Sequence, residues 1–591
     1  RVSRRYFGAR YCHGGRRKYD SRYRQIGIRA DENASLYSRG SDDGSCPRLR
    51  TSTRKSKFAK ESESGGRFAV KKFKPGAAFS DFVILGSSSK TPAKSHNRTE
   101  IIIGDWLWVA ILASLGILLV RLVSLQLFEG GKYRLLADEN RISTIILPAP
   151  RGKILDFENK VLEDNLANSA IVGYVGEISD TEVGLLKTDD KYVLKDKIGR
   201  SGLQLQYEQV LKGINGGRLV EVDNAVKVVR DLGRREPQPG KDIMTSIDSK
   251  LQKTAYDSMT KKIGAVIITS PKTGEIMGLV SSPGFDPNNI SESLANPDLP
   301  FFNRAISGLY PPGSTFKMVT TTAALGSGKL NKNYSVEDTG VITVAGFKYD
   351  NWFFSQYGKT EGNVNWVKAL TRSNDIFFYK VGEAIGPDIL ASWAKVFGFG
   401  QLTGVDLPSE VEGLIPTPAW KEKFKGEIWF LGNTYHMAIG QGDVLTTPLQ
   451  VNQMTNILAT NKKCLLHISS TPGVECPEVN ISPDILEIIK KGMIGACKEG
   501  GTAYPFFTWT GPEVACKTGT AEYITKSGKY ATHAWFTVFA PVMDPQISVT
   551  VLIEGGGEGS KTAAPIARKI LATYFGVEDK FNYEIQAGEG E

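Results

Sequence analysis

Ala534-Trp535-Phe536-Thr537-Val538-Phe539-Ala540-Pro541-Val542-Met543-Asp544-Pro545-Gln546-Ile547-Ser548-Val549-Thr550-Val551-Leu552-Ile553 is the most strand-like stretch of the chain. β-Branched and aromatic residues fill two runs, and Met543-Asp544-Pro545-Gln546 breaks them, so the segment reads as an antiparallel hairpin. A second hairpin lies far upstream. Ala265-Val266-Ile267-Ile268-Thr269 and Ile276-Met277-Gly278-Leu279-Val280 flank a turn at Pro271-Lys272-Thr273-Gly274. Glu513 to Thr520 is a fifth strand candidate. Ser249 to Thr260 and Thr562 to Tyr574 read as helices, and the some 230 residues between Val280 and Glu513 as mainly helical. The sum is an α+β domain: an antiparallel sheet of about five strands, contributed by both ends of the domain, with helices on its faces.

Three short elements inside this frame carry chemistry. Tyr310-Pro311-Pro312-Gly313-Ser314-Thr315-Phe316-Lys317 stops turning before Ser314, where a helix can begin. Lys317 is then at i+3 from Ser314, on the same face. A serine hydroxyl attacks only when a base takes its proton, and a lysine of depressed pKa can be that base. The helix start also leaves backbone N–H groups free for a developing oxyanion. SxxK alone is weak evidence, since Ser52…Lys55 and Ser87…Lys90 have the same spacing in the basic first segment.

Arg372-Ser373-Asn374-Asp375 is the second element. Ser373 and Asp375 are two apart and cannot share a helix face, so they converge from a loop. Ser373 can pass a proton toward a leaving group, and Asp375 can hydrogen-bond Lys317. Taken alone, the stretch reads better as the cap of a helix that follows. The third element is Cys516-Lys517-Thr518-Gly519-Thr520-Ala521-Glu522, on the fifth strand. Lys517 brings positive charge, Thr518 and Thr520 can grip a carboxylate, and Gly519 lets an extended peptide lie along the strand edge. Lys272-Thr273-Gly274 repeats the letters in a hairpin turn and reads as turn chemistry.

Outside this domain, Trp106 to Leu122 is an apolar run of nearly spanning length, bordered by Asp105, with Arg121 near its far end. It continues through Val123, Leu125 and Leu127, longer than a cleaved leader, and reads as a retained anchor over 104–128. Through Arg98 the chain holds 24 Lys and Arg against 8 acidic residues, more than the whole net charge of +10. Residues 1–98 therefore read as a disordered basic tail on the cytoplasmic side, with everything after Phe128 outside. The remainder is near neutral, which leaves no nucleic-acid stripe. Residues 129–238 read as a small pedestal domain, 239–576 as the catalytic domain and 577–591 as a tail. No CxxC or His-Cys cluster appears, so no metal is expected. With Cys497 and Cys516 placed in an oxidising space, a bridge between them would fix the fifth strand; Cys464 and Cys476 are a second possible pair.

SxxK, an SxN-type triad and KTG in this order resemble the penicillin-binding proteins. Supporting stretches are Ala149-Pro150-Arg151-Gly152-Lys153-Ile154, Gly173-Tyr174-Val175-Gly176-Glu177-Ile178, Gly202-Leu203-Gln204, Ala438-Ile439-Gly440-Gln441-Gly442, Thr447-Pro448-Leu449-Gln450, Gly500-Gly501-Thr502-Ala503 and His533-Ala534-Trp535-Phe536. Over about residues 106 to 576 the chain resembles the class B, elongation-type (penicillin-binding protein 2-like) branch. The resemblance implies a peptidoglycan D,D-transpeptidase, acylated on Ser314 by stem peptides ending in D-Ala-D-Ala and by penicillin and other β-lactams. It implies Lys317 as general base, Ser373 as proton relay with Lys517, and Thr518 and Thr520 as carboxylate binders. The N–H groups of Ser314 and Thr520 become the oxyanion hole, no cofactor is needed, and a SEDS-family glycosyltransferase and other elongation-complex membrane proteins are the partners. A septal enzyme, a penicillin-binding sensor and an inactive scaffold are the alternatives. The family's second motif usually ends in Asn, where this chain has Asp375. Its long head region is also missing, because Ile154 and Gly173 are fewer than 20 residues apart.

Overall fold

The computed structural model describes residues 98–581 apart from 180, 183–191, 193–194, 224, 471–472 and 526. The tail expected before residue 98, with its two SxxK look-alikes, and the last ten residues lie outside the described ones. The chain divides into Arg1–Trp108 and Val109–Glu591. Helix α1 (Arg98–Val123) passes into a wider helical turn at Ser124–Phe128. Trp106–Phe128 is 23 residues long and apolar, and none of its apolar side chains is buried. That length of helix rises about 34 Å, enough for a single-pass anchor. At its end Arg121 pairs with Glu129 at 3.1 Å.

A small module follows. Ile142–Leu147, Gly216–Val222 and Val228–Arg235 form a three-stranded antiparallel sheet. Two of the quoted stretches have packing reasons here. The Arg151 guanidinium donates to the Gln204 side chain at 2.6 Å and to Glu208, so the Pro-Arg-Gly turn is clamped to the helical pair behind it. Gly173 sits at φ +79°, and a Cβ there would lie 1.9 Å from the Ser201 carbonyl. Two short helices follow, Gly202–Gln206 and Glu208–Leu211, broken at Tyr207. Tyr207 has other work: its hydroxyl reaches Asp406 and Ser469, both at 2.8 Å, and ties the module to the larger domain.

In the larger domain, α2 (Ser249–Ser258) is capped by Asp248, whose carboxylate accepts from the N–H groups of Lys250 and Leu251. Five strands follow: β1 (Gly264–Thr269), β2 (Ile276–Ser282), β3 (Ala515–Ile524), β4 (Tyr530–Ala540) and β5 (Ile547–Ile553). Their spatial order is β3-β4-β5-β1-β2, antiparallel throughout. The two expected hairpins are β1–β2 and β4–β5, and β5 joins them by pairing with β1. The fifth strand runs from Ala515 to Ile524, longer than the expected Glu513 to Thr520, and it is an edge. Lys272-Thr273-Gly274 does sit in the β1–β2 turn, with Gly274 at φ +81°.

Between the hairpins stand α3 (Lys317–Gly326), α4 (Trp366–Arg372), α5 (Asp375–Val396), α6 (Pro448–Thr460) and α7 (Pro483–Ala496); α8 (Ala564–Phe575) closes the domain. α2 and α8 cover one sheet face through Leu251, Ala255, Ile566 and Ile570. On the other face α6 makes a buried polar seam. Asn452 and Asn456 exchange hydrogen bonds of 2.5–3.2 Å with the hydroxyls of Thr269 and Ser548, and Thr455 meets Thr537 at 2.7 Å. Each of these five side chains on the seam, Thr269, Asn452, Thr455, Asn456 and Ser548, is paired, as the low polarity of the interior demands. The mainly helical reading needs one correction. Ser335–Asp338 pairs with Gly362–Asn365, and Val341–Val344 with Phe347–Asp350, so a small stranded lobe interrupts the helices.

Both expected cysteine pairs are bonded, Cys464 to Cys476 and Cys497 to Cys516. The second joins the end of α7 to the residue before Lys517. Peptide mapping without reductant is expected to yield the 497–516 cross-link. Reduction should cost about 3 kcal/mol of stability by the chain-entropy rule for a loop of this size. Free, alkylatable thiols at both positions in unreduced protein would refute the bridge.

Candidate active site

Ser314 lies in a 3₁₀ turn, Gly313–Phe316, that runs directly into α3 at Lys317. The helix proper thus begins three residues later than the sequence suggested. Three contacts hold this turn, to β3, to Gly440 and to β4. Gly313 at φ +53° brings it so close that a Cβ would lie 2.9 Å from the Thr520 carbonyl. The Gly313 N–H donates to the Gly440 carbonyl at 2.9 Å. Trp535 donates its indole N–H to the Pro311 carbonyl at 2.9 Å. Ser314 itself is half-buried, and its hydroxyl has no hydrogen-bond partner among the described residues.

Lys317 is fully buried. Its ammonium nitrogen lies 2.6 Å from Asp375 Oδ1, 2.7 Å from the Ser373 carbonyl and 3.3 Å from Ser373 Oγ. Ser373 can offer both oxygens because it ends α4 in the left-handed conformation, φ +55° and ψ +38°. A non-glycine residue pays of order 1 kcal/mol or more for that geometry, and the surrounding structure must hold it there. Ser373 and Asp375 therefore converge across a helix–helix junction, not from an open loop. Asn374 between them caps α5, its side-chain oxygen accepting from the Phe377 N–H.

Lys517 is equally buried and donates to Ser373 Oγ and to the Thr518 carbonyl, both at 2.8 Å. One serine hydroxyl thus bridges two lysines, with one carboxylate nearby. Two full positive charges there would be costly. Burial pushes the Lys317 amine below the ordinary lysine value, and Asp375 opposes the shift. Lys517 is pushed well below it, first by burial and then by the charge of Lys317. The arrangement favours a neutral amine able to take a proton.

On β3, the carbonyl of Thr520 accepts from the Gln441 side chain at 3.2 Å, away from β4. The N–H and C=O of one strand residue lie on the same side. The Thr520 N–H therefore also faces the free edge, next to the Ser314 turn. Thr518 meets Thr502 hydroxyl to hydroxyl at 2.8 Å. Gly519 has a packing reason as well as the one expected. A Cβ there would lie 2.9 Å from Trp535 Cβ and 3.1 Å from Thr315 Cγ2, so the bare position lets the nucleophile's turn approach the strand.

The sequence reading missed a supporting carboxylate. Asp338, almost fully buried, accepts from the N–H groups of Gly340 and Glu361 and from the side-chain amides of Asn351 and Asn374, at 2.9–3.0 Å. Asn351 in turn accepts from the Asp375 N–H at 3.1 Å, and Asp375 Oδ2 from the Trp352 N–H at 3.1 Å. These residues are scattered over the stranded lobe without period or motif, so no sequence signal marks them.

The chain matches the penicillin binding protein transpeptidase domain over residues 264–572 and the penicillin-binding protein dimerisation domain over 166–245. The chain belongs to the penicillin-binding protein family of transpeptidases. Peptidoglycan D,D-transpeptidase MrdA of Haemophilus influenzae is 34% identical over 70% of this chain and 70% of its own length. Its counterpart in Escherichia coli K12 is 32% identical over 71% and 72%. Pseudomonas aeruginosa PBP2, solved in complex with WCK 5153, superposes with a TM-score of 0.65 at 31% identity, covering 76% of this chain and all of that one. Helicobacter pylori PBP2, solved in complex with MreC, gives 0.65 at 25% identity over 73% and 98%. Within the family, the chain is of the elongation-type, PBP2-like class.

Proposed function

We propose that this chain cross-links peptidoglycan stem peptides through an acyl-enzyme on Ser314. The observation that carries this is the convergence of Lys317, Ser373, Asp375 and Lys517, two buried amines sharing one hydroxyl, at the start of α3, three residues after Ser314. Neutral Lys317 takes the Ser314 proton as the oxygen attacks the penultimate D-Ala carbonyl. The oxyanion forms against the N–H groups of Ser314 and Thr520. Collapse breaks the peptide bond, and the leaving D-alanine amine takes its proton from Ser373, which the newly protonated Lys317, 3.3 Å away, replenishes while Lys517 holds the relay hydroxyl. An amine of a neighbouring stem peptide then attacks the ester and returns Ser314 to its hydroxyl form. Thr518 and Thr520 hold the terminal carboxylate by hydrogen bonds, and Gly519 keeps the strand close. A penicillin enters the same way, but its ring nitrogen stays attached.

In this reading 129–238 is the pedestal and 239–576 the catalytic domain. The anchor leaves the basic segment in the cytoplasm and the catalytic domain outside, by the excess of Lys and Arg before it. A SEDS-family glycosyltransferase is the proposed membrane partner, and the MreC complex of the Helicobacter pylori protein supports an elongation assembly. The full chain, given a D-Ala-D-Ala stem peptide and a second stem peptide bearing a free amine, should release D-alanine and form a peptide–peptide product detectable by mass. Release of D-alanine with hydrolysed donor alone, even with the partner present, would make it a carboxypeptidase instead. Protease added outside spheroplasts should cut after Phe128 and spare residues 1–98; the opposite pattern would reverse the orientation.

A further inference from the structure

The Gly500-Gly501-Thr502-Ala503 stretch has no part in the steps above, yet it is fastened to the strand that carries them. The Cys497–Cys516 bond ties the end of α7 to β3 two residues before Thr518. The Gly501 N–H donates to the Lys498 carbonyl at 2.8 Å and the Ala503 N–H to the Ala496 carbonyl at 2.9 Å, folding the chain tightly back. Gly500 takes φ +86°, and a Cβ on Gly501 would lie 2.4 Å from the carbonyls of Gly495 and Ala496. From the other side, Arg372, next to Ser373, donates to the Gly500 carbonyl at 2.8 Å. The loop is thereby held by a covalent bond, two backbone hydrogen bonds and a guanidinium. What it delivers is one hydroxyl, Thr502 Oγ1, 2.8 Å from Thr518 Oγ1.

That contact has only one arrangement compatible with an anion. Each threonine hydroxyl has one proton to give. If Thr518 donates to Thr502, it turns lone pairs toward an incoming carboxylate and repels it. If Thr502 donates to Thr518, the Thr518 proton is left to point at the carboxylate, and the chain of two hydroxyls polarises in the helpful direction. We propose that Thr502 is a positioning residue that fixes the Thr518 proton toward the substrate carboxylate and so sets the preference for donors ending in a free carboxylate. This rests on the assignment of Thr518 as a carboxylate binder made above.

The effect is confined to substrates with the anion, which separates it from a structural role. Acylation of the detergent-solubilised full chain by benzylpenicillin and by its methyl ester is followed by intact-protein mass, giving a second-order constant for each. Thr502→Val keeps the shape and removes the hydroxyl. It should lower the constant for the acid about three- to tenfold, the size of one ordinary hydrogen bond, and leave the ester unchanged. Thr502→Ser should restore the acid to near wild type. An acid constant unchanged in Thr502→Val, or an equal loss for acid and ester, overturns the proposal. Thr518→Val is the second arm. If it abolishes the preference for acid over ester while Thr502→Val does not, only the role of Thr502 fails. If Thr518→Val keeps the wild-type preference, the carboxylate assignment fails, and the proposal with it.

Discussion

Ser314→Ala protein incubated with a fluorescent penicillin is expected to remain unlabelled, while the wild-type chain carries one covalent label on the peptide containing Tyr310 to Lys317. The substitution removes the nucleophile and little else. The turn around it is held by Gly313, Pro311 and Trp535, none of which contacts the missing hydroxyl through a described hydrogen bond. Neighbouring hydroxyls are poor substitutes. Thr315 donates to the Pro312 carbonyl at 2.8 Å, and Ser373 is engaged by both lysines. D-Alanine release should disappear together with labelling. Label retained at the wild-type level, or mapped to another residue, would remove Ser314 from the mechanism.

Lys317→Ala is expected to slow acylation by roughly 10²- to 10⁴-fold, the usual contribution of a positioned general base. Its pH dependence has a definite sign. Only the neutral amine accepts the serine proton, so the wild-type rate rises with pH through the Lys317 titration and falls on acidification. Burial lowers that titration, so the rising limb lies below the ordinary lysine range. Asp375 pulls the other way, because its carboxylate stabilises the ammonium 2.6 Å away. Asp375→Asn should therefore shift the limb to lower pH, provided the amide keeps the bond to Trp352. A limb that moves upward in Asp375→Asn, or an unchanged profile in Lys317→Ala, would rule out Lys317 as the base.

What the sequence disclosed and what it hid divide along physical lines. The β4–β5 hairpin was legible because its runs are long, β-branched and broken by Asp544-Pro545. Ser314, Lys317, Ser373, Asp375 and Lys517 were legible as three fixed spacings in a fixed order, and the fold brings the last four together just after the turn that carries Ser314. The left-handed turn at Ser373 was not legible, since nothing in Arg372-Ser373-Asn374 demands a positive φ. Nor was the lobe at 335–365, whose four-residue strands are too short for a period to register. Asp338 and Asn351 act through partners distant in the chain, and polar residues used this way look like any surface polar residue; Thr502 stood in a quoted stretch, but its contact with Thr518 depends on the assembled fold. Gly519 was flagged correctly as a bare position, but its crowding by Trp535 and Thr315 depends on the assembled fold.

The strand order has a consequence for how the molecule comes into being. β1 must pair with β5, yet about 280 residues separate Thr269 from Ile547. During synthesis the β1–β2 hairpin emerges early and waits, one edge unsatisfied, until nearly the whole domain has followed it. Closing so long a loop is entropically expensive and slow, and it favours late, concerted folding over growth from the N-terminus. The helical core, resting on Trp535 and Leu552, waits as well. A chain cut short before Ile547 would present an open hydrophobic edge, not a smaller enzyme, and would be prone to aggregation and proteolysis.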